Sequence, residues 1–382
     1  MRLISSASAL LKPQDKYWVL PPLDDPAIAI NPQGPPIAPE ALEARLSELS
    51  LPCVVNDVTV GPRFSIYEII PEATLRIEKI RKSLEDIALG LGVDSVRFAG
   101  RYGCGIGLEI ANSEMQDIPL GPLLRGLPRE YKLPFVVGID TAGTPTVADL
   151  AELPHLLVAG SSGSGKSMFL HNMIYGLMST RTPDEVCFVL IDPKRTEFAA
   201  YNGGPHVLQK VVTEVGGAYL MFKALVDLME VRYQQLAQSG SRDITEHQAK
   251  GGAPPLGPIV VIIDELADLV LNNKEIEKPI ILLAQKARAC GISIVCATQY
   301  PKIQVCSGLV KANFASRVCL RVPSKVNSNV VLDQSGAELL LGRGDLLYSS
   351  QGEVKRLQAP YVSSGEIANL QLWWQSLGVV YK

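Results

Sequence analysis

The segment LLVAGSSGSGKS, residues 156–167, joins a short apolar run to a turn of glycine and serine that ends in Gly-Lys-Ser. The turn fits the pattern GxxxxGK[ST] without a mismatch, and an apolar, helix-like stretch follows it. Glycines allow backbone N–H groups to curl around phosphate oxygens, and the N-terminus of the next helix adds partial positive charge. An ordinary glycine- and serine-rich turn is the alternative, but the flanking strand and helix argue against it. The segment therefore predicts a P-loop that binds ATP.

The P-loop pattern assigns individual roles when ATP is the ligand. Lys166 is predicted to reach the β- and γ-phosphates, and the hydroxyl of Ser167 is predicted to ligate Mg²⁺. The predicted ATP-binding residues of the loop are Gly160, Ser161, Ser162, Gly163, Ser164, Gly165, Lys166 and Ser167.

A second apolar run, Ile259–Ile263, ends in two adjacent carboxylates, Asp264 and Glu265. In a P-loop fold such a strand lies near the P-loop strand. Asp264 is therefore predicted to bind the nucleotide's Mg²⁺ together with Ser167, and Glu265 is predicted to polarise the attacking water as general base. A helix cap is the alternative role for Asp264. The P-loop about a hundred residues earlier favours the catalytic interpretation.

Two further polar groups follow apolar, strand-like runs. Gln299 comes after the run at 294–297 and is predicted to sense the γ-phosphate or orient water, because ligands bind at the carboxyl edge of parallel sheets. A strand-end hydrogen bond is its alternative role. The turn Asp192-Pro193-Lys194-Arg195 follows another such run. A proline-opened charged turn explains it as well as a role in coupling ATP to a second ligand.

Composition restricts the class of protein. The chain has 382 residues, 47% of them hydrophobic and 20% charged, as expected for a globular protein. Seven cysteines without a CxxC pair and four histidines argue against a zinc site or a disulfide scaffold. Apolar runs too short to cross a bilayer and the lack of a secretion signal predict a soluble cytoplasmic protein without a membrane anchor.

The charge is unevenly distributed along the chain. Residues 284–356 hold ten Lys or Arg and four Asp or Glu, whereas residues 1–283 hold 25 and 34. A basic segment on an acidic body can bind a phosphate backbone, although ordinary solvated surface charge is an equal alternative.

Three regions are predicted. Residues 1–39 form a proline-rich extended lead-in, because eight prolines fall within residues 12–39. Residues 40–150 form a small α+β domain, with short β-like runs, a helix predicted over residues 40–50 and one continuous helix predicted over Thr74–Leu89. Residues 151–382 alternate buried strands with longer helices, which predicts an α/β, RecA-like P-loop domain with a parallel-rich central sheet.

Several segments together resemble the FtsK/SpoIIIE family of DNA translocases over roughly residues 45–365. They include the run from Val147 through the P-loop, Ile191–Lys194, Leu283–Ala289 and Gly308–Asn313. The segments Ala297-Thr298-Gln299, Leu332-Asp333-Gln334, Gly336-Ala337-Glu338 and Leu341–Leu346 complete the set. The combination is far more specific than a P-loop alone, and it makes conjugative coupling proteins and HerA-like motors less favoured assignments.

The resemblance implies an ATP-driven motor that assembles as a hexameric ring around double-stranded DNA. Of three candidate trans-acting arginines, Arg288, Arg317 and Arg321, it favours Arg317, which would act on the neighbouring subunit's ATP. DNA-facing residues are expected in the basic part of the second domain. The residues proposed for this contact are Lys311, Lys325 and Arg343.

The chain also departs from the family pattern. No membrane-spanning N-terminal region and no winged-helix γ domain are expected, so septum anchoring and the reading of polar DNA sequences are not supported. Asn329 stands where the family usually has an arginine, so one contact is expected to be missing or moved to Lys325.

Two other functions are alternatives, of which only the first uses the same ATP chemistry. A packaging or conjugative-transfer ATPase would dock on a pore, for which residues 1–39 and the C-terminal segment with Trp373-Trp374 are the candidates, although adjacent tryptophans more often pack locally. A nucleotide-switched assembly protein would bind DNA without moving it. Glu265 argues against a pure switch, which does not need a water-activating base.

Overall fold

The structure is a computed structural model that describes residues 20–22, 35–93, 95–112, 116–153 and 155–376. Most of the predicted lead-in, residues 1–39, and the last six residues of the chain lie outside the described ranges. Within those ranges, no helix combines the length and the apolar character needed to cross a bilayer.

The first unit is a four-stranded antiparallel sheet packed against short helices. Its strand order is β1-β2-β4-β3. Leu42 and Leu46 of the first helix are fully buried against the sheet's apolar face, which holds the helix in place. The elements are α1 (Pro39–Glu48), β1 (Cys53–Val60), β2 (Phe64–Pro71), α2 (Ile77–Lys82), α3 (Leu84–Leu91), β3 (Val96–Tyr102) and β4 (Gly105–Ala111).

The single helix predicted over Thr74–Leu89 is wrong, because two short helices, α2 and α3, occupy this region. They meet at Ser83, whose backbone leaves helical geometry at φ −100° and ψ 8°. The Ser83 hydroxyl donates a hydrogen bond to the carbonyl of Lys79 and so competes with the backbone bonds of a continuous helix. α3 ends at Gly92 in the left-handed conformation, at φ 68°.

The second unit is built on a nine-stranded mixed sheet of order β6-β5-β13-β12-β11-β7-β10-β9-β8. The five strands from β11 to β8 are parallel, and the other four pair antiparallel. The strands are β5 (Pro134–Ile139), β6 (Pro145–Asp149), β7 (Leu156–Ala159), β8 (Cys187–Ile191), β9 (Ile259–Ile263), β10 (Ile292–Thr298), β11 (Ser316–Leu320), β12 (Asp345–Ser350) and β13 (Glu353–Gln358).

Helices cover both faces of the large sheet. Alternate residues of β9 show this directly, because Val261 and Ile263 belong to one buried apolar cluster and Val260 and Ile262 to another. The helices are α4 (Leu120–Arg125), α5 (Lys166–Thr180), α6 (Val215–Gln238), α7 (Ile244–Ala249), α8 (Leu266–Asn272), α9 (Glu277–Lys286), α10 (Gly308–Asn313), α11 (Lys325–Leu332) and α12 (Ser364–Ser376). The predicted α/β class with a P-loop sheet is confirmed.

Sheet membership bears on the boundary expected at residues 150 and 151. Strands β5 and β6 pair within the nine-stranded sheet and not with the first unit. We therefore propose that the second unit begins before residue 134, earlier than the predicted boundary.

The C-terminal tryptophans belong to this second unit. Trp374 on α12 is fully buried, donates from Nε1 to the carbonyl of Met178, and lies edge-on to His206 with ring centroids 4.7 Å apart. Local packing, the interpretation favoured for this pair, is confirmed for Trp374, which is not available as a docking plug.

Candidate active site

The P-loop lies between β7 and α5, at the carboxyl edge of the parallel strands. The strands on both sides of β7 hold its first residues. The N–H of Gly160 donates to the carbonyl of Thr298 at 3.1 Å, and the N–H of Ser161 donates to the carbonyl of Arg321 at 2.9 Å. Beyond them, the N–H of Gly344 donates to the carbonyl of Ser164 at 2.8 Å. The loop is thus fixed at both ends by backbone bonds.

Two glycines of the loop cannot be replaced without strain. Gly163 and Gly165 have φ angles of 74° and 101°, a region that residues with a side chain rarely adopt. A Cβ on Gly165 would lie 2.4 Å from the backbone nitrogen of Gly344. Glycine here lets the chain curl tightly, which is what the P-loop pattern predicts.

Lys166 and Asp264 form a buried ion pair. The Lys166 ammonium donates to the Asp264 carboxylate at 2.6 Å and to its carbonyl at 2.7 Å, and both side chains are almost wholly buried. Burial raises the pKa of Asp264, and the charge of Lys166 opposes that rise. Two predicted nucleotide-site residues from distant parts of the chain are thus in direct contact.

Glu265 is fully buried and caps the N-terminus of α8. Its Oε1 accepts hydrogen bonds from the Thr298 hydroxyl at 2.6 Å and from the Ala267 N–H at 3.4 Å. Its Oε2 accepts from the Gln299 N–H at 3.0 Å and lies 3.3 Å from Lys194 Nζ. The helix-capping role considered for Asp264 belongs to Glu265 instead.

The order of strands explains these contacts. Strand β10 lies between the P-loop strand β7 and β9, which carries the two carboxylates. Thr298, the last residue of β10, therefore contacts both neighbours, donating to Glu265 and accepting from Gly160. Gln299 follows it and is half-buried, with its backbone N–H on Glu265.

The turn after β8 places further charged groups at the same edge. Asp192 is fully buried and accepts from the backbone N–H groups of Glu197 and Phe198. A hydrogen bond with His171 lowers the pKa of Glu197, and a second one with Ser167 adds to the effect. Sequence reasoning treated this turn as undecided and did not single out Glu197. The sequence feature that could have identified Glu197 is its position five residues after Asp192, in a turn at the ligand-binding edge of the sheet.

The three candidate arginines lie in different places. Arg317 is the second residue of β11, opposite Leu157. Its side chain donates to the carbonyls of Phe314 and Val331 and to Asp333. Arg321 is exposed beside its own P-loop, where its carbonyl accepts from Ser161. Arg288 pairs with Glu152 at 2.9 Å.

The residues proposed for DNA contact are partly or largely exposed, but they have different neighbours. Lys311 pairs with Asp333 at 2.6 Å. Lys325 opens α11 and is exposed. Arg343 is exposed on a loop whose backbone N–H donates to the P-loop carbonyl of Gly163 at 3.3 Å. Arg343 thus lies next to its own nucleotide site.

Sequence reasoning missed a buried charge cluster between the two units. Arg356 on β13 makes a two-pronged contact with Asp345, at 2.9 and 2.7 Å, and a further ion pair with Glu109 of the first unit. Glu109 also pairs with Arg97 at 3.3 Å. The loop before Asp345 contacts the P-loop through Gly344. The cluster therefore connects the first unit to the nucleotide site.

The residues present fit ATP and Mg²⁺. A glycine cradle surrounds the N-terminus of α5, where a Cβ on Gly160 or Gly165 would clash, and the hydroxyl of Ser164 is buried without a hydrogen-bond partner in the described part of the chain. The loop can bind phosphates, and the oxygens of Ser167 and Asp264 are the hard donors that Mg²⁺ prefers.

The sequence of this chain is similar to known proteins over most of its length. It matches the FtsK alpha domain over residues 35–112 and the FtsK/SpoIIIE family over residues 128–303. It is 40% identical to DNA translocase FtsK of Haemophilus influenzae, over 89% of this chain and 70% of that protein. It is 39% identical to DNA translocase SftA of Bacillus subtilis, over 86% of this chain and 36% of that protein. Against DNA translocase FtsK 1 of Neisseria meningitidis it spans 46% of the relative's length.

Solved structures agree on the fold. The pCW3 conjugation coupling protein TcpA superposes with a TM-score of 0.63 at 24% identity, over 88% of this chain and 99% of that chain. The cytoplasmic domain of the type VII secretion ATPase EccC from Thermomonospora curvata gives 0.61 at 24% identity, over 69% and 34%. With its P-loop, its paired carboxylates and this extent of similarity, the chain belongs to the FtsK/SpoIIIE family of P-loop ATPases, in which the relatives above are named DNA translocases.

Proposed function

We propose that this chain hydrolyses ATP and uses the free energy to move along double-stranded DNA. The observation that carries the proposal is the buried group of Lys166, Asp264 and Glu265 beside a tightly curled glycine loop, in a chain whose relatives are named DNA translocases. A protein that only binds nucleotide does not need a carboxylate placed to activate water.

The chemistry follows from side chains at the sheet edge. Lys166 stabilises negative charge on the β- and γ-phosphates, and Ser167 and Asp264 would hold Mg²⁺, which neutralises further phosphate charge. Lys166 must leave Asp264 to reach the phosphates, which frees the carboxylate for the cation. Glu265 accepts a proton from the attacking water. Thr298 and the backbone N–H of Gln299 orient the Glu265 carboxylate for this step.

A ring of six subunits is part of the proposal, with Arg317 acting on the neighbouring subunit's ATP. Arg317 pairs in register with Leu157, upstream of the carboxyl edge where the P-loop begins. Its position on its strand supports a contact with a neighbour's nucleotide over one with its own. To reach it, the side chain would have to release Asp333.

DNA contact is assigned to the basic segment at 284–356. Contacts made mostly to phosphate would give binding that tolerates any sequence and weakens steeply with salt. Lys311 and Lys325 are the first residues to test, because neither contacts the P-loop in the described structure, whereas the loop of Arg343 does.

The test is the steady-state ATPase rate with and without linear duplex DNA, beside a Glu265→Ala control. A DNA translocase shows strong stimulation by duplex DNA that vanishes in the control, and it displaces a triplex-forming strand from the duplex. A rate indifferent to DNA would overturn the proposal and favour a motor gated by another partner or a nucleotide-switched assembly protein.

A further inference from the structure

The carboxylate of Glu265 is already occupied by donors inside the protein. Of the groups that contact it, the backbone N–H groups of Ala267 and Gln299 belong to a helix start and a strand end and cannot leave without local unfolding. The Thr298 hydroxyl is fully buried at the end of β10. The remaining partner is Lys194 Nζ, 3.3 Å from Oε2, on a side chain that is one-third exposed. Lys194 is thus the partner that can most easily move away.

Lys194 is well suited to change partners. Its turn is anchored by the buried Asp192 and by the fixed ring of Pro193, so its backbone position is set. Its ammonium also lies 4.0 Å from a carboxylate oxygen of Asp268 and 5.9 Å from the ring centroid of Tyr300. A flexible lysine with several weak partners can move away from one of them easily. An arginine in the same place would form two parallel hydrogen bonds with the carboxylate and would leave it less easily.

The neighbouring segment is open to a ligand. Tyr300 and Ile303 are 54% and 73% exposed, and Lys302 between them is exposed as well. This segment directly follows Thr298 and Gln299, both of which donate to Glu265. It also begins within the basic part of the chain. A polyanion binding there would attract the Lys194 ammonium away from Glu265.

We propose that Lys194 is a positioning residue that occupies the Glu265 carboxylate and keeps the attacking water from it until duplex DNA binds at residues 300–303. While the ion pair persists, the Lys194 ammonium occupies Oε2 and keeps water from binding to that oxygen. Release of Lys194 opens an acceptor position on Oε2, beside the Gln299 N–H, for the attacking water. The inference rests on the proposed function, because it assigns the release to DNA.

The test is Lys194→Met, which keeps most of the side chain's packing and removes its charge, beside Lys194→Arg. Without DNA, the Met variant is expected to hydrolyse ATP about tenfold faster than the unmodified chain. The reason is that the variant no longer has to break one charge-assisted bond before water can reach Glu265. Its affinity for a fluorescent ATP analogue should stay within about twofold. DNA should then add little stimulation. The Arg variant should keep the slow basal rate.

Arg195 provides the matched control, because it is a basic residue of the same turn whose ion pair is with the exposed Glu214. Arg195→Met should leave both the basal rate and the stimulation unchanged. Thermal unfolding of each variant shows that it is folded. If the DNA-free rate of Lys194→Met is unchanged or lower, the proposed blocking role of Lys194 is wrong. If DNA does not change the ATPase rate of the unmodified chain, the proposed function is wrong. The DNA-free rate of Lys194→Met still tests whether Lys194 blocks Glu265.

Discussion

Two groups of buried charge meet the nucleotide-binding edge of this protein, and they are built differently. The lysine pairs, Lys166 with Asp264 and Lys194 with Glu265, each rest on a point charge at the end of a flexible chain. The arginine cluster, formed by Arg356 with Asp345 and Glu109 and by Arg97 with Glu109, rests on planar guanidinium groups. The first group lies where partners must change during a reaction cycle, and the second lies between two folding units.

The chemistry of the cations explains the difference. Arg356 satisfies both oxygens of Asp345 and stacks over the Phe64 ring, 4.1 Å from its centroid. A rigid fork of donors fixes geometry and loses little entropy for each bond that it makes. A lysine ammonium can rotate away from one carboxylate and approach a phosphate with little rearrangement. We infer that the arginine cluster maintains the architecture, whereas the lysine pairs are exchanged during function.

The largest effect is expected at Glu265. Glu265→Gln keeps an acceptor for the Thr298 hydroxyl but removes the base, so kcat should fall about 10³-fold. Nucleotide affinity should stay within about threefold, because a base acts on the transition state more than on the bound substrate. Steady-state hydrolysis and titration with a fluorescent ATP analogue measure the two quantities. Equal losses in both would assign Glu265 a binding role.

Arg356→Ala should affect stability instead of chemistry. It leaves the buried Glu109 and Asp345 carboxylates without their main cation, so the free energy of unfolding should fall by about 3 kcal/mol. Urea denaturation gives the value. Lys355→Ala is the matched control, since Lys355 is the exposed neighbour on the same strand, and it should change stability by less than about 0.5 kcal/mol. Similar values for the two variants would refute a structural role for the cluster.

Features that lie in one stretch of sequence could be predicted, whereas contacts between distant residues could not. The P-loop and the run ending in Asp264 and Glu265 are contiguous patterns, so the sheet, its ligand-binding edge and a nucleotide site could be derived from the chain. The contacts of Lys194 and Arg356 join residues 71 and 247 positions apart, to Glu265 and Glu109 respectively. Such pairs depend on strand order, which periodicity does not specify.

Local competition explains the other differences. The break at Ser83 results from a side-chain bond to the backbone that helical spacing cannot reveal. The boundary was predicted at residue 150, but β5 and β6 join the large sheet through β13, an interior strand from the far end of the chain. Strand β5 is buried throughout, as the parallel strands are, so its sequence does not show which sheet it joins, and its assignment needed the tertiary structure.

His206 differs from both groups because its buried ring faces a carbonyl oxygen instead of an ion. Burial lowers the pKa of His206 to about 4, so the folded chain keeps the ring neutral while the unfolded chain is protonated below about pH 6.5. Stability is therefore fully present above pH 6.5 and falls as the pH drops toward 4. Between pH 7.5 and 5 the loss from this residue should be about 2 kcal/mol.

His206→Gln isolates that contribution, since glutamine does not titrate. Urea denaturation of both chains at pH 7.5 and 5 should show a smaller acid loss in the variant, by about 2 kcal/mol. His155, whose pKa burial also lowers to about 4, is unchanged in both chains and cancels in the difference. An equal acid loss in the two chains would mean that the His206 ring is hydrated or paired in the folded protein.

The smallest effect is expected at Ser164, where the fold leaves a polar group for a ligand. Its hydroxyl is buried in the P-loop and has no hydrogen-bond partner in the described part of the chain, in contrast to the satisfied carboxylates around Arg356. Ser164→Ala should therefore change the free energy of unfolding by less than about 0.5 kcal/mol.

Nucleotide affinity should fall about fivefold in Ser164→Ala, the effect of one lost hydrogen bond to the ligand. Ser179→Ala is the matched control. Ser179 is also buried on α5, and its hydroxyl has no hydrogen-bond partner among the residues that the structure describes, but it lies about three turns beyond the loop. It should leave the affinity for a fluorescent ATP analogue unchanged. If Ser164→Ala binds nucleotide as tightly as the unmodified chain, the loop binds phosphate through its backbone alone. The Ser164 hydroxyl would then not be a group that the fold leaves unbonded in order to bind the nucleotide, in contrast to the carboxylates that Arg356 satisfies.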